Sequence, residues 1–555
     1  MAKVLVTTFT NMPGGLLDSF RQGLVDALVA HGNEVLLLKS NDLIADCQVT
    51  NNLLPNVDAN AITRFIKKFA PELIISLNHS GLYSDLLKKI DCPIAVWLLD
   101  GPAYLVDPEE FRRRCDRYQV FSPVKAFSKE LQGDFGFAPS KIHYLPFCSD
   151  FRNQHACAVQ NISFVGTFFY IGKLAQKLAA LTSQRAEWLR FGELLNSYKD
   201  NRDMLWSERL QKYRLDKIFT GQTDEAWILN TLATNARVKT LDAIQDLGLT
   251  IYGTFNWLDV ASYSINLAMS FHPQQIVTRQ DLESVYNSSK IVFNISHAQA
   301  RGGLPWRVFD AMACGAVLVS NPEEDLESLF GQDVEVPTYR SPDEARAVCQ
   351  SLLADDAGRR QIIESSNAVI EKSHRFKHRL ATIGEILSLD LLSGGKGKVT
   401  RLTSDIFAEV TAQQNSKAIN SNGSTYGKIQ FPIEVFYSKT LEFGPNKRIS
   451  VTKQLAPGEE IAVSFDMKKA APFLRLDLGV YFSTHECPEI SILKLGSNGN
   501  ERHELDLERD ILSKNQFAFE NGRLICGFDS YCIFRNPFEG EDISLRFQSK
   551  LTSGI

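Results

Sequence analysis

The chain has 555 residues, 44% hydrophobic and 23% charged, with a formal net charge of −5 at pH 7. That length exceeds a single hydrophobic core, which stops growing near about 250–300 residues, so two or three domains are expected. The composition is that of an ordinary globular protein, and the mild negative charge excludes the broad cationic field of a sequence-independent nucleic-acid binder.

The opening Met1-Ala-Lys-Val-Leu-Val-Thr enters an apolar run directly, with no charged leader or cleavage site. No stretch approaches the roughly 20 apolar residues of a membrane-spanning helix, so a cytoplasmic location is expected. Residues 3–8 read as a strand, Asn11-Met-Pro-Gly-Gly15 as a glycine loop and 16–30 as a helix. Strand patterns recur at 34–40, 72–77, 93–99 and 118–121, with helices near 60–69 and 82–90, the alternation of a parallel sheet covered on both faces. The run Arg112-Arg-Arg114 lies among acidic residues and reads as a solvated helix face, with peripheral membrane contact as the alternative.

The composition turns polar after Cys148-Ser-Asp150, and a strand at 162–167 opens a second unit. Residues 171–246 read as mostly helical, buried strands return at 249–253, 291–296 and 316–321, and a last helix pattern covers 355–388. Gly394-Gly395 reads as a hinge. From about 430 the pattern becomes short β-branched and aromatic runs between Pro, Gly and Asn turns. The expected architecture is α/β: two doubly wound Rossmann-like domains at 1–155 and 156–392, a linker at 393–428, and a β-sandwich-like domain at 429–555. Acceptor recognition, self-association through it, or a purely structural role remain open for that last domain. The ten cysteines are scattered without zinc-ligand spacing, and no metal site is expected.

Open α/β sheets bind ligands at the carboxyl ends of their strands. The most informative stretch there runs from Asn294 to Asn321. Gly302 and Gly303 let a backbone approach an anion, and Leu304-Pro305 starts a helix whose free N–H groups favour phosphate. Arg307 in the first helical turns suits two phosphate oxygens, and Asp310 one turn on suits ribose hydroxyls. On composition alone, a loop with Arg307 and Asp310 as a surface ion pair is an equal reading.

Gly303-Leu-Pro-Trp-Arg-Val-Phe-Asp310 with Cys314-Gly315 resembles the donor motif of GT-B glycosyltransferases, most closely the spore-maturation CgeB-type family. Phe164-Val-Gly-Thr167, Leu249-Thr-Ile-Tyr-Gly253 with Trp257, Tyr286–Lys290 and Asp325–Phe330 follow in the same order, so the resemblance covers about residues 1–390. It implies transfer of a sugar from a nucleotide-diphosphate donor to a hydroxyl of a glycan or glycoconjugate, without a cofactor. It implies Asp310 for the ribose, Arg307 with Gly302 and Gly303 for the diphosphate, and Gly166 with Thr167 on the donor side. Two departures stand out: the family has Glu at position 310, and the wider group has a sugar-contacting Glu where this chain has Gly302.

Lys173 is a further candidate to neutralise the leaving diphosphate, a role that would dispense with a metal. Asp100, at the end of the 93–99 strand, is a candidate general base on the acceptor, or a cap of the Gly-Pro turn. His297 is the histidine placed best for donor contact. Gly14 and Gly15 serve either substrate approach on the acceptor side or a plain strand-to-helix turn. The rival readings are a non-catalytic nucleotide-sugar or glycan-binding subunit, and another GT-B enzyme such as a nucleotide-sugar epimerase.

Overall fold

In a computed structural model, the described residues are 1–402 apart from 11, 13–15, 45, 55–56, 170–171, 202–203, 220, 274–275 and 277, and 429–554 apart from 440–447, 456–459, 479–482, 496–500, 507–508 and 521–522. The predicted glycines 14 and 15 therefore lie outside the described residues. Among the described residues no helix is long and apolar enough to cross a membrane. The chain divides into two compact units that separate near residue 410.

The larger unit holds two parallel sheets. The first contains β1 (Lys3–Thr8), β2 (Glu34–Lys39), β3 (Leu73–Leu77), β4 (Ile94–Trp97), β5 (Tyr118–Ser122) and β6 (Ile142–Tyr144). The second contains β7 (Gln160–Val165), β8 (Leu249–Tyr252), β9 (Ser289–Asn294) and β10 (Val317–Ser320), in the order β10-β9-β7-β8. β3 is buried at all five positions, as a strand covered by helices on both faces must be.

One strand comes from an unexpected place. Lys398–Leu402, placed in the linker by its polar, glycine-flanked sequence, is β11 and pairs parallel with β2, giving the order β11-β2-β1-β3-β4-β5-β6. The Gly394-Gly395 segment leading to it is anchored: the Gly394 amide donates to the His31 carbonyl at 3.1 Å and Asn33 Nδ2 donates to the Leu391 carbonyl at 2.9 Å. The long helix pattern at 355–388 is two helices, Asp356–Ser373 and Phe376–Leu387, broken at His374-Arg375.

That break joins the two halves of the unit. Arg375 Nη1 donates to the Phe151 carbonyl and Arg379 Nη2 to the Phe147 carbonyl, both at 2.6 Å, so the closing helix grips the crossover between the sheets. One apolar cluster runs through both halves, with Phe20 and Leu24 from the helix Ser19–Ala30, Val308 and Met312 from the helix Trp306–Ala313, and Leu380 and Ile383 from the closing helix. Phe20 and Trp306 stack at 5.9 Å within it. The helices Gly172–Leu181, Arg185–Asp200, Trp206–Tyr213 and Gln222–Asp242 form a helical insertion between β7 and β8 with its own core around Leu194, Trp206, Phe219 and Ile228.

The second unit is all-β: β12 (Ile429–Ser438), β13 (Arg448–Leu455), β14 (Glu460–Met467), β15 (Phe473–Leu478), β16 (Ser483–Lys494), β17 (Glu501–Glu504), β18 (Ile511–Glu520), β19 (Arg523–Arg535) and β20 (Ile543–Gly554). Among the described residues these nine strands belong to one antiparallel sheet: seven follow the path β13-β12-β15-β19-β16-β20-β14, while β17 pairs with β16 and β18 with β19 off that path. β19 pairs with β15 through Tyr531–Arg535 and with β16 through Arg523–Cys526, so one long strand serves two neighbours in succession. Apolar residues of β12 and β15 (Ile433, Val435, Leu474, Leu476) share a core with those of β14, β16 and β20 (Ile461, Phe465, Ile490, Leu545). The layered core expected of a sandwich is built by a continuous sheet rather than by two separate ones.

Candidate active site between the parallel sheets

Asp100 follows the carboxyl end of β4 and is fixed from both halves of the unit. Asn78 is in the left-handed region (φ 53°) past the end of β3; its Nδ2 donates to Asp100 Oδ2 at 2.9 Å and its Oδ1 accepts the Leu99 amide at 2.6 Å. From the loop after β9, Gln299 Nε2 donates to Asp100 Oδ1 at 3.1 Å while its Oε1 accepts the Gly101 amide at 2.7 Å. Gln299, which the sequence did not single out, is therefore the link that brings the Asp100 turn to the second sheet.

His297 lies in that same loop. Its Nδ1 accepts the Gln299 amide at 3.2 Å, which leaves Nε2 as the protonated nitrogen, donating to Asn230 Oδ1 at 3.1 Å. Burial, then the charges of Arg237 and Arg307, push its pKa down to about 3. The ring is a neutral, oriented group. Tyr104, just beyond the Asp100 turn, donates to the same Asn230 Oδ1 at 2.7 Å.

The β7 end carries Gly166 and Thr167. A Cβ on Gly166 would lie 2.7 Å from the Phe164 ring and 3.7 Å from Arg307 Nη2, so glycine lets the strand end pass directly against the arginine. The Thr167 carbonyl accepts a hydrogen bond from Arg237 Nη1. Arg237, on the helix Gln222–Asp242, is 4% exposed, and its Nε has no hydrogen-bond partner. Burial, then the charge of Arg307, pushes the pKa of its guanidinium down to about 9.

Arg307 donates to Asn294 Oδ1 at 3.3 Å and sits over the Phe164 ring at 5.7 Å; Arg237 sits over the same ring at 5.8 Å. Among the described residues, no carboxylate pairs with either guanidinium. Two cations thus converge on one ring and one strand end without a counter-charge, which is the electrostatic requirement for a site that receives a doubly charged anion. Arg237 was missed because it lies some 70 residues from Thr167, on a helix whose Ala-Arg-Val-Lys sequence reads as surface.

The other predicted residues fall into different surroundings. Asp310 is 3% exposed, at the junction of the two halves, where its Oδ2 accepts from Ser19 Oγ at 3.1 Å and Ser149 is a second donor. Burial raises its pKa to about 7, opposed by those two hydroxyls. The surface ion pair between Arg307 and Asp310 allowed by composition is not formed. Gly302 is in the left-handed region (φ 94°), and its amide donates to Glu323 Oε2 at 3.2 Å. Gly303 packs against the segment after β5, where a Cβ would lie 2.6 Å from Val124 Cγ2. The Lys173 side chain lies outside the described residues.

Residues 235–385 match a family described as glycosyl transferase-like, a segment that begins just before Arg237 and ends in the closing helix. A search of curated proteins gave no match. Similar solved structures include sucrose-phosphate synthase from Thermosynechococcus elongatus, at 10% identity over 70% of this chain and 98% of that one, with a TM-score of 0.43. Others are T4 phage BGT in complex with its UDP-glucose substrate, at 10% identity over 70% and 100% with a TM-score of 0.36, and Anabaena HepE in complex with UDP and glucose, at 12% identity over 70% and 100% with a TM-score of 0.38.

Proposed function

We propose that the chain is a GT-B glycosyltransferase of the CgeB type that transfers a sugar from a nucleotide-diphosphate donor to a hydroxyl of a glycan or glycoconjugate. The observation that carries this reading is the convergence of Arg237 and Arg307, unpaired, at the carboxyl ends of β7 and β9, within the segment that is glycosyltransferase-like. Those two guanidiniums would hold the diphosphate and stabilise the charge that develops as it leaves, so that no metal is called on for that task. The acceptor would approach from the β4 side, where Asp100 is the carboxylate available to take its proton. Gln299 and Asn230 tie this side to the donor side, and orienting two substrates against each other supplies much of the remaining catalysis.

In this reading His297 acts as a neutral hydrogen-bonding group rather than a titrating base, and Asp310 reaches a ribose only if the contact with Ser19 opens. A second reading, a non-catalytic nucleotide-sugar-binding subunit, is favoured by one observation: both oxygens of Asp100 already accept hydrogen bonds from amide side chains. The test is thermal stabilisation by UDP, GDP, TDP and CMP, each alone and as its sugar conjugate, followed by hydrolysis of the conjugate that binds. Selective stabilisation lost in Arg307→Ala, with slow release of free sugar by the wild type, supports the transferase. Stabilisation without any hydrolysis or transfer supports the binding subunit, and no stabilisation by any compound contradicts both.

A further inference from the structure

The helix Gln222–Asp242 meets the candidate site along one face. Ala226, Asn230, Thr234 and Arg237 follow one another at helical spacing and share a single stripe. Arg237 is the anion end of that stripe. One turn back, Thr234 Oγ1 accepts the Phe169 amide at 3.1 Å and donates to the Phe169 carbonyl at 3.2 Å. At the far end the Ala226 carbonyl lies 3.1 Å from the Tyr104 hydroxyl. Asn230 stands between them, and its Oδ1 accepts from both Tyr104, at 2.7 Å, and His297 Nε2, at 3.1 Å. Tyr104 comes from the first half of the unit and His297 from the second, so a single carboxamide oxygen joins the two.

His297 has both ring nitrogens engaged by the protein, Nε2 on Asn230 and Nδ1 on the Gln299 amide. The rings of Tyr104 and Phe169 stand edge-on to it at 6.0 and 5.4 Å. An imidazole held in this way transmits position. It caps the turn Ala298–Ala300, whose middle residue Gln299 lays its carboxamide on Asp100 Oδ1 and the Gly101 amide. Without Asn230 Oδ1, Tyr104 keeps the Ala226 carbonyl, whereas among the described residues His297 Nε2 has no second acceptor. Losing that oxygen therefore releases the imidazole, and with it the turn that aims Gln299.

We propose that Asn230 is a positioning residue for the transfer reaction, setting the direction of the Asp100 carboxylate through His297 and Gln299; this rests on the glycosyltransferase reading above. One helix face then registers the two ends of the site against each other, Arg237 directly at the anion end and Asn230 indirectly at the proton-accepting end. His297 belongs to this chain of contacts and leaves the substrate to others.

The test is steady-state hydrolysis of UDP-glucose, GDP-mannose and TDP-glucose by the full chain, in which water takes the place of the acceptor hydroxyl. The proteins compared are the wild type, Asn230→Leu, Asn230→Ala, Asp100→Asn and the double variant Asn230→Leu/Asp100→Asn, with the Kd of the bare nucleotide and the unfolding midpoint measured on each. For the conjugate that is hydrolysed, both Asn230 variants should lower kcat by roughly 10–100-fold, the scale of a misplaced reacting group, and leave KM and the nucleotide's Kd within about twofold. In the Asp100→Asn background Asn230→Leu should have no further effect, because it acts through that carboxylate. Unchanged kcat in both Asn230 variants, a fall in nucleotide affinity that matches the fall in kcat, or a double variant slower than Asp100→Asn by the full single-variant factor overturns the positioning role while the transferase reading stands. If the wild type hydrolyses none of the three conjugates, the transferase reading fails and the positioning role with it.

Discussion

Arg301 lies in the loop before the helix Trp306–Ala313 and Arg307 in that helix's first turn, six residues on, and their surroundings are opposite. Arg301, in the left-handed region at φ 43°, is 5% exposed and bridges Glu130 and Glu225, both fully buried. Burial pushes Glu130 up to about 7, and the Arg301 charge works against that rise. Arg307 meets an amide, a ring and another guanidinium, with no carboxylate among the described residues. An arginine saturated by buried carboxylates is a fastener of the fold; one left with a like charge is, in the function proposed, the group that receives an anion. Residue type and place in the sequence do not separate the two roles, whereas charge balance does.

The largest expected effect breaks the fastener. Arg301→Met leaves two buried carboxylates without their cation and should lower stability by about 3–5 kcal/mol, read as a shift of the urea unfolding midpoint. Arg237→Ala and Arg307→Ala probe the other kind of arginine. Each removes one of two repelling charges, so the unfolding midpoint should barely fall in Arg307→Ala, and in Arg237→Ala should fall only by the lost hydrogen bond to the Thr167 carbonyl, about 1–3 kcal/mol. Nucleoside-diphosphate binding should weaken by about 1.5–3 kcal/mol for each, the scale of a charge-assisted hydrogen bond.

Asp310→Asn acts through pH. The folded-state pKa of about 7 lies above the ordinary carboxylate value, so the protonated form is favoured by folding. That contribution is complete below the unfolded pKa of about 3.9 and is lost as pH rises through the folded value. Denaturation midpoints of the wild type should therefore decline between these two pKa values relative to the variant, which lacks the titration. The smallest effect sharpens the loop itself: Gly302→Ala forces an alanine to φ 94° and should cost about 1 kcal/mol, measured by thermal unfolding.

Much of the larger unit was legible because buried parallel strands are short apolar runs punctuated by glycine and proline, and β1 to β5 and β7 to β10 announce themselves in that way. β11 did not, since Lys398–Leu402 is polar at an edge and owes its place to β2 rather than to its own pattern. In the candidate site, Arg307 and the Gly166-Thr167 strand end were found through their motif. Arg237 and Gln299 were not, because each meets the candidate site by long-range closure and lies in sequence that reads as an ordinary helix or loop. The same closure explains Asp310: a motif position in sequence is, in this arrangement, a junction residue held by Ser19.

The most direct test of the paired-guanidinium site is titration of the nucleoside diphosphate that best stabilises the wild type into the Arg237→Ala/Arg307→Ala double variant, with unfolding midpoints measured on the same samples. The account predicts that binding collapses while the protein stays folded, its midpoint falling by no more than the lost Thr167 hydrogen bond accounts for. A double variant that binds the nucleotide as tightly as the wild type would show that these two unpaired arginines do not form the anion site.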